Sequence, residues 1–226
     1  MKLKTESLKT INFLIRTESH RWLASSMVFS LLLVMIRIMY TGSLTFIFLA
    51  WNLFLAFVPY AISTFLQNNP GWTMHKWKFS FAIAVWILFI PNAFYIITDL
   101  FHLGISQVPI WFELALLLSF AWNGLVLGIL SVRQMEKIIQ WKWPGMHEFF
   151  FLFPVMFLNA FGIYIGRYLR FNSWDVISNP LDLAGDISNM LLHPFASKYA
   201  WSMIGCYALL MMFIYITIKK ISKTIL

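Results

Sequence analysis

The sequence predicts an all-α, polytopic membrane helical bundle of about six transmembrane helices with both termini in the cytoplasm. Three observations lead there. Six long apolar stretches fill most of the 226 residues, and about 20 apolar residues suffice to cross the hydrocarbon core of a bilayer. The chain is 60% hydrophobic and 12% charged, where a soluble domain carries about 25% charged residues. The basic residues are distributed unevenly. Five in the N-terminal tail, two in the second connection, three in the fourth and three at the C-terminus make 13 of the 17 Lys and Arg, all on one side of a six-span chain. By the positive-inside rule that side is cytoplasmic. The net charge of +8 is then topogenic and calls for no nucleic acid.

Residues 1–21 form a cytoplasmic tail. Leu8, Ile11 and Ile15 recur at helical spacing among Lys9, Asn12 and Arg16, the pattern of a short helix on the membrane surface. The first span, 22–38, follows about 21 polar and basic residues and is not trailed by a small-x-small cleavage site, so it reads as retained. The remaining spans are predicted at 43–66, 79–98, 108–132, 149–168 and 199–218, giving a membrane domain over 22–218 and a basic tail over 219–226. Pro59, Pro91 and Pro154 lie inside spans, where each removes a backbone donor and kinks its helix. Eight of the 11 Trp residues sit near predicted span ends, as interfacial anchors do. The outer loop over 169–198 contains a short helix around 181–188, begun by Asn179-Pro180. Its apolar side, Leu183, Ile187, Met190 and Leu191, suits a lid on the membrane. Cys206 is the only cysteine, which excludes an internal disulfide and a cysteine-based metal cluster. Neither nucleotide-binding glycine signature is present.

Asn52, Asn92, Asn123 and Asn159 fall within spans. An intramembrane Asn ordinarily bonds a neighbouring helix. Gly124/Gly128 and Gly162/Gly166 have the G-x-x-x-G spacing of close helix packing, inside the bundle or in a homo- or hetero-oligomer.

Chemistry concentrates at the predicted outer ends of the spans. In PNAFYIITDLFH, Asn92, Tyr95, Asp99 and His102 are spaced 3, 4 and 3 apart and share one face if the helix continues. Asp99 and His102 then aim at one point, as a divalent-metal pair or as partners in proton transfer. In GRYLRFNSWD, Arg167 and Arg170 form a fork suited to phosphate, followed by Asn172 and Asp175; Arg170 instead pairs with Asp175 if the loop is merely locked. Glu113 opens span four, and a carboxylate there is costly unless paired or hydrated. Topology sets Asp99, His102, Glu113, Arg167, Arg170 and Asp175 at one depth, with Arg37. The inner side shows no comparable mixture of acid and base.

Three strings, WNLFLAFVP at 51–59, LFIPNAFYIITDLFHL at 88–103 and GIYIGRYLRFNSWDVISNP at 162–180, resemble the uncharacterised bacterial membrane family catalogued as domain of unknown function 1361. The resemblance spans roughly 51–215 and implies a bacterial multi-pass protein of the plasma membrane without supplying an activity. In that family an acid, often Asp, stands near the position of Glu113.

Two function classes stay open. In the first, the outer site acts on or binds a lipid or lipid-linked head group. Asp99, His102 and Glu113 are its candidate catalytic residues, with Asp99 and His102 also the candidate metal ligands. Asn92, Tyr95, Arg167, Arg170, Asn172 and Asp175 are its candidate substrate-binding residues. The second is a small transporter or a non-catalytic partner subunit, with the Asn row lining a path or an interface.

Overall fold

A computed structural model describes residues 2–104 and 108–225, with side chains from Glu18 onward except at a few positions. The elements are α1 (Lys2–Thr41), α2 (Phe48–Asn68), the short α3 (Pro70–Met74), α4 (Lys76–Tyr95), α5 (Ile110–Lys142), α6 (Glu148–Tyr164), α7 (Asp175–Ser178), α8 (Pro180–Leu192) and α9 (Lys198–Ile225). A 3-10 segment, Ile96–His102, extends α4, and a π turn, Ile165–Leu169, extends α6. Among the described residues there is no strand. The tail backbone continues into α1; the surface face expected of Leu8, Ile11 and Ile15 lies outside the described side chains.

Six helical stretches are long and apolar enough to span: His20–Thr41, Phe48–Asn68, Lys76–His102, Ile110–Lys142, Glu148–Leu169 and Lys198–Ser222. Large apolar side chains such as Phe29, Met35, Phe54, Phe81, Leu118 and Phe213 point away from the protein. No soluble protein leaves so much contiguous apolar surface uncovered, and hydrocarbon is its natural solvent. Two boundaries differ most from expectation. Span two begins at Phe48 because Gly42, at φ 66°, ends α1 and the chain turns through 43–47. Span four runs to Lys142, ten residues past the expected end at 132. At 33 residues it is about 50 Å long, against a core of about 30 Å.

Central to the bundle is α5, packed against α1, α2, α4 and the 3-10 segment, while α9 packs on α6. The glycines explain the close approach. A Cβ at Gly124 would lie 2.7 Å from the Ala93 carbonyl oxygen, and one at Gly128 would lie 2.9 Å from the Phe94 ring. On α6, a Cβ at Gly162 would lie 2.6 Å from the Pro91 ring. Both glycine pairs are therefore used inside the chain, against α4. Polar side chains tie the helices where no water can. Asn123 Nδ2 donates to Ser30 Oγ (2.9 Å) and joins α5 to α1. Trp86 Nε1 donates to Ser131 Oγ (2.8 Å), which donates to the Pro59 carbonyl (2.9 Å), joining α4, α5 and α2.

Both termini and the connections near residues 75 and 145 lie at one end of a six-span bundle, here the terminal end; the connections near residues 42, 105 and 169–198 lie at the far end. An acid–base cluster sits at the terminal end, where mainly basic residues and no comparable mixture of acid and base are expected. Buried Glu136 pairs with Lys219 and with Arg133 (3.7 Å), and Lys219 also pairs with Glu148. Tyr215 donates its hydroxyl to Glu136. The extra length of α5 brings Glu136 to this level, and α9 delivers Lys219 and Tyr215 from 79 and more residues away, a proximity no local pattern reveals.

A polar cavity at the far end of the bundle

Pro91 starts the construction of the site. It lacks the amide that would bond the Ile87 carbonyl, and the loosened turn leaves carbonyls open to side-chain donors. Asn92 Nδ2 donates to the Phe89 carbonyl (3.0 Å) and to Ser173 Oγ (2.9 Å), and Ser173 Oγ donates to the Leu88 carbonyl (3.3 Å). The loop after α6 is thereby fastened onto α4. Beyond Tyr95 the helix tightens to 3-10, so the expected α-helical stripe of four residues does not persist. Tightening turns Asp99 into the bundle, where it is 1% exposed.

Asp99 is held by two helices. Its Oδ2 accepts from Asn52 Nδ2 (2.9 Å), and its Oδ1 lies 3.5 Å from Arg167 Nη1, an ion pair without hydrogen-bond geometry. Arg167 Nη2 donates to the Thr98 carbonyl (2.8 Å) and meets His102 Nδ1 at 3.2 Å. The same Nδ1 lies 3.1 Å from the Asp99 carbonyl; a guanidinium only donates and a carbonyl only accepts, so the two contacts ask opposite roles of that nitrogen. Arg167 Nη1 also reaches the Tyr95 hydroxyl (3.4 Å), and the guanidinium lies over the Phe101 ring, 5.3 Å from its centroid. One planar cation thus closes the end of α4 against α6.

At the candidate metal pair, Asp99 and His102, Arg167 stands 3.5 Å from Asp99 Oδ1 and 3.2 Å from His102 Nδ1, and its positive charge there opposes that of a metal ion. Among the described residues no group of three or more His, Cys, Asp or Glu could hold a metal ion.

Glu113 belongs to a second unit. Its Oε2 accepts the Gly104 amide (2.7 Å), and its Oε1 has no hydrogen-bond partner among the described residues. Arg37, 2% exposed, lies near enough for the two charges to interact, with Nε and Nη1 unpartnered and its guanidinium 4.1 Å from the Phe46 ring centroid. Phe46 stacks on Phe48, whose ring lies 5.3 Å from that of His102. A row of rings thus runs from Arg37 to His102, and Glu113 shares no hydrogen bond or ion pair with Asp99 or His102 among the described residues.

Arg170 leaves the expected fork. The π turn and the left-handed backbone at Arg170 (φ 62°) end the helix, so Arg167 and Arg170 are not on successive turns of one face. Arg170 is exposed and forms no ion pair with Asp175. Asp175 instead caps its own loop, accepting from the Asn172 amide (2.6 Å) and Ser178 Oγ (2.7 Å). These donors, the Asn172 amide first, hold its carboxyl below the usual carboxylate range.

Around this framework lies a cavity of about 280 Å³. Its apolar walls include Trp51, Leu55, Pro91, Leu158, Phe161 and Ile165; its polar lining is Asn52, Asn92, Tyr95, Asn172 and Ser173. Leu183 of α8 completes it. The helix begins at Pro180 as expected and runs to Leu192, longer than the 181–188 anticipated. Leu183, Ile187 and Met190 turn inward while Leu191 stays exposed. Trp51 and Trp174 meet edge to face at 6.3 Å beside it. Asp99, His102, Glu113, Arg167, Arg170 and Asp175 do not line the cavity. Asn52, by contrast, links cavity and carboxylate, where an intramembrane Asn is expected to bond a neighbouring helix or to line a path. A larger groove of about 760 Å³ lies toward the terminal end between α4, α5 and α6. Its lining is apolar apart from Lys142, whose ammonium is bound to the Thr73 carbonyl (2.6 Å). With no converging polar groups it has the character of a surface solvated by lipid tails.

Six spanning helices around a buried polar core define a multi-pass helical membrane protein. Residues 51–216 match the family described as protein of unknown function (DUF1361), and the chain belongs to that family. No match to a curated protein or to a solved structure was found.

Proposed function

We propose that the far-end cavity binds a lipid or lipid-linked head group and that it faces outward across the plasma membrane of a bacterium. The observation that carries this reading is the cavity's division into apolar walls and a cluster of five neutral polar side chains at the ends of spans two, three and five. Ligand sites commonly combine an apolar lining with a few placed polar groups, and at this depth an amphipathic lipid presents both kinds of surface at once. The buried Asp99–Arg167–His102 unit supports it from behind by fixing Asn52 and Tyr95. The outward orientation rests on the 13 basic residues of the terminal end.

Two of the buried polar groups serve helix association: Asn123 Nδ2 donates to Ser26, Ser30 and Ser119, and Ser131 is bonded to Trp86 and Pro59, whereas Asn123 Oδ1 and both amide atoms of Asn159 have no hydrogen-bond partner among the described residues. Eight residues of α5, about 12 Å, separate the two groups. Val176 lines the cavity from the exposed α7, so Val176→Trp fills it without entering the core. Lipid carried through purification should be depleted from Val176→Trp, as read by extraction and mass spectrometry, with the helical circular dichroism unchanged. Equal retention of lipid by the parent and the filled variant would count against the reading.

A further inference from the structure

We infer that the head group this cavity takes is a neutral, hydroxyl-bearing one, a sugar or comparable polyol, and not a phosphate; the inference rests on the binding reading above. Three amides define the polar lining, and the protein orients each through its nitrogen. Asn52 Nδ2 is spent on Asp99, Asn92 Nδ2 on the Phe89 carbonyl and Ser173, and Asn172 Nδ2 on Asp175 (3.3 Å). Among the described residues their three Oδ1 atoms have no hydrogen-bond partner. Each amide therefore presents its acceptor, in an orientation fixed by the donor it has already used. Tyr95 accepts from Arg167 through its oxygen and keeps its own proton to give.

A ligand complementary to three acceptors and one donor must supply several hydrogen-bond donors. Hydroxyl groups do this and can also accept from Tyr95. A phosphate oxygen cannot: it only accepts, and it would face three carbonyl dipoles of the wrong sign. The cation that might offset this is committed elsewhere, because Arg167 is bound to Thr98, His102 and Asp99 and does not line the cavity. Arg170 does not line it either. An ammonium head group supplies donors but brings a charge, and no carboxylate lines the cavity to balance it. The neutral hydroxyl class is what remains.

The test uses the full chain in nanodiscs containing equal parts of monoglucosyl-diacylglycerol, phosphatidylethanolamine, phosphatidylcholine and phosphatidic acid, with bound lipid identified by native mass spectrometry. The glucolipid should be retained in preference to the other three. Asn172→Ala removes one acceptor from an exposed loop and should weaken its retention about three- to tenfold, the value of one hydrogen bond. Asn172→Asp, which keeps an acceptor at that position, should weaken it less. Selection of phosphatidic acid or phosphatidylethanolamine that is lost in Val176→Trp would overturn the hydroxyl inference and leave the cavity reading standing. Retention of any lipid that is indifferent to Val176→Trp, Asn172→Ala and Asn172→Asp would overturn both.

Discussion

Removing Arg167 tests whether the far-end ion pair organises this half of the bundle. In Arg167→Met the Asp99 carboxylate, 1% exposed, keeps only Asn52 as a partner. Breaking a buried pair by deleting one member costs about 3–5 kcal/mol, because the remaining charge is left uncompensated. The same change removes the donors to the Thr98 carbonyl and to His102, which are themselves worth about 1–3 kcal/mol together. Replacing Asp99 by Asn removes the stranded charge while keeping an oxygen for Asn52. The double variant Asp99→Asn/Arg167→Met should then retain only the smaller loss, and the two substitutions should couple by about 2 kcal/mol or more. Equilibrium unfolding in mixed micelles, followed by the 11 tryptophans, measures all four proteins. A coupling below about 0.5 kcal/mol, the range of independent sites, would refute the view that Arg167 exists to balance Asp99. Arg167→Lys should fall between parent and Met, since it keeps the charge and loses the planar fork that reaches Thr98, His102 and Tyr95 together.

Three further outcomes follow from particular contacts. Gly162→Ala places a methyl group 2.6 Å from the rigid Pro91 ring and should destabilise the protein by about 1–3 kcal/mol in the same unfolding assay, whereas Gly145→Ala, which meets nothing within 4 Å, should not. Because its folded-state pKa is depressed, Asp175 stabilises the 172–178 turn fully above its unfolded pKa of about 3.9, and that support is lost as pH falls through the lower folded value; the protection of the Asn172 amide relative to its intrinsic exchange rate should fall across this acid window, and should not do so in Asp175→Asn. In a Cys206→Ser background, Gly185→Cys should react with an impermeant thiol reagent applied to intact cells and Gly145→Cys should not, both positions having open space for a side chain; the reverse pattern would invert the orientation and place the cavity inside.

The spans, their number and the short helix after Asn179 were legible in the sequence by itself, because hydrocarbon imposes a uniform demand. Every residue of a span must be apolar or find a partner, and every backbone amide must be bonded within its helix, so length and composition suffice. The crowding of acids, bases and amides near the ends of spans three to five was legible for the same reason, since charge is excluded from the centre. Tertiary structure alone decided which of those groups meet. The switch to 3-10 after Pro91 and Tyr95 turns Asp99 inward, the π turn before Arg170 sends one arginine to Asp99 and the other to the surface, and Glu113 bonds the Gly104 amide and not Asp99 or His102. These are local departures from the 3.6-residue period on which any facing argument relies. Asn52 and Glu136 were hidden for a different reason. Their partners lie 47 residues and 79 or more residues away, and an isolated polar residue in an apolar span shows that it needs a partner without showing which helix will supply one.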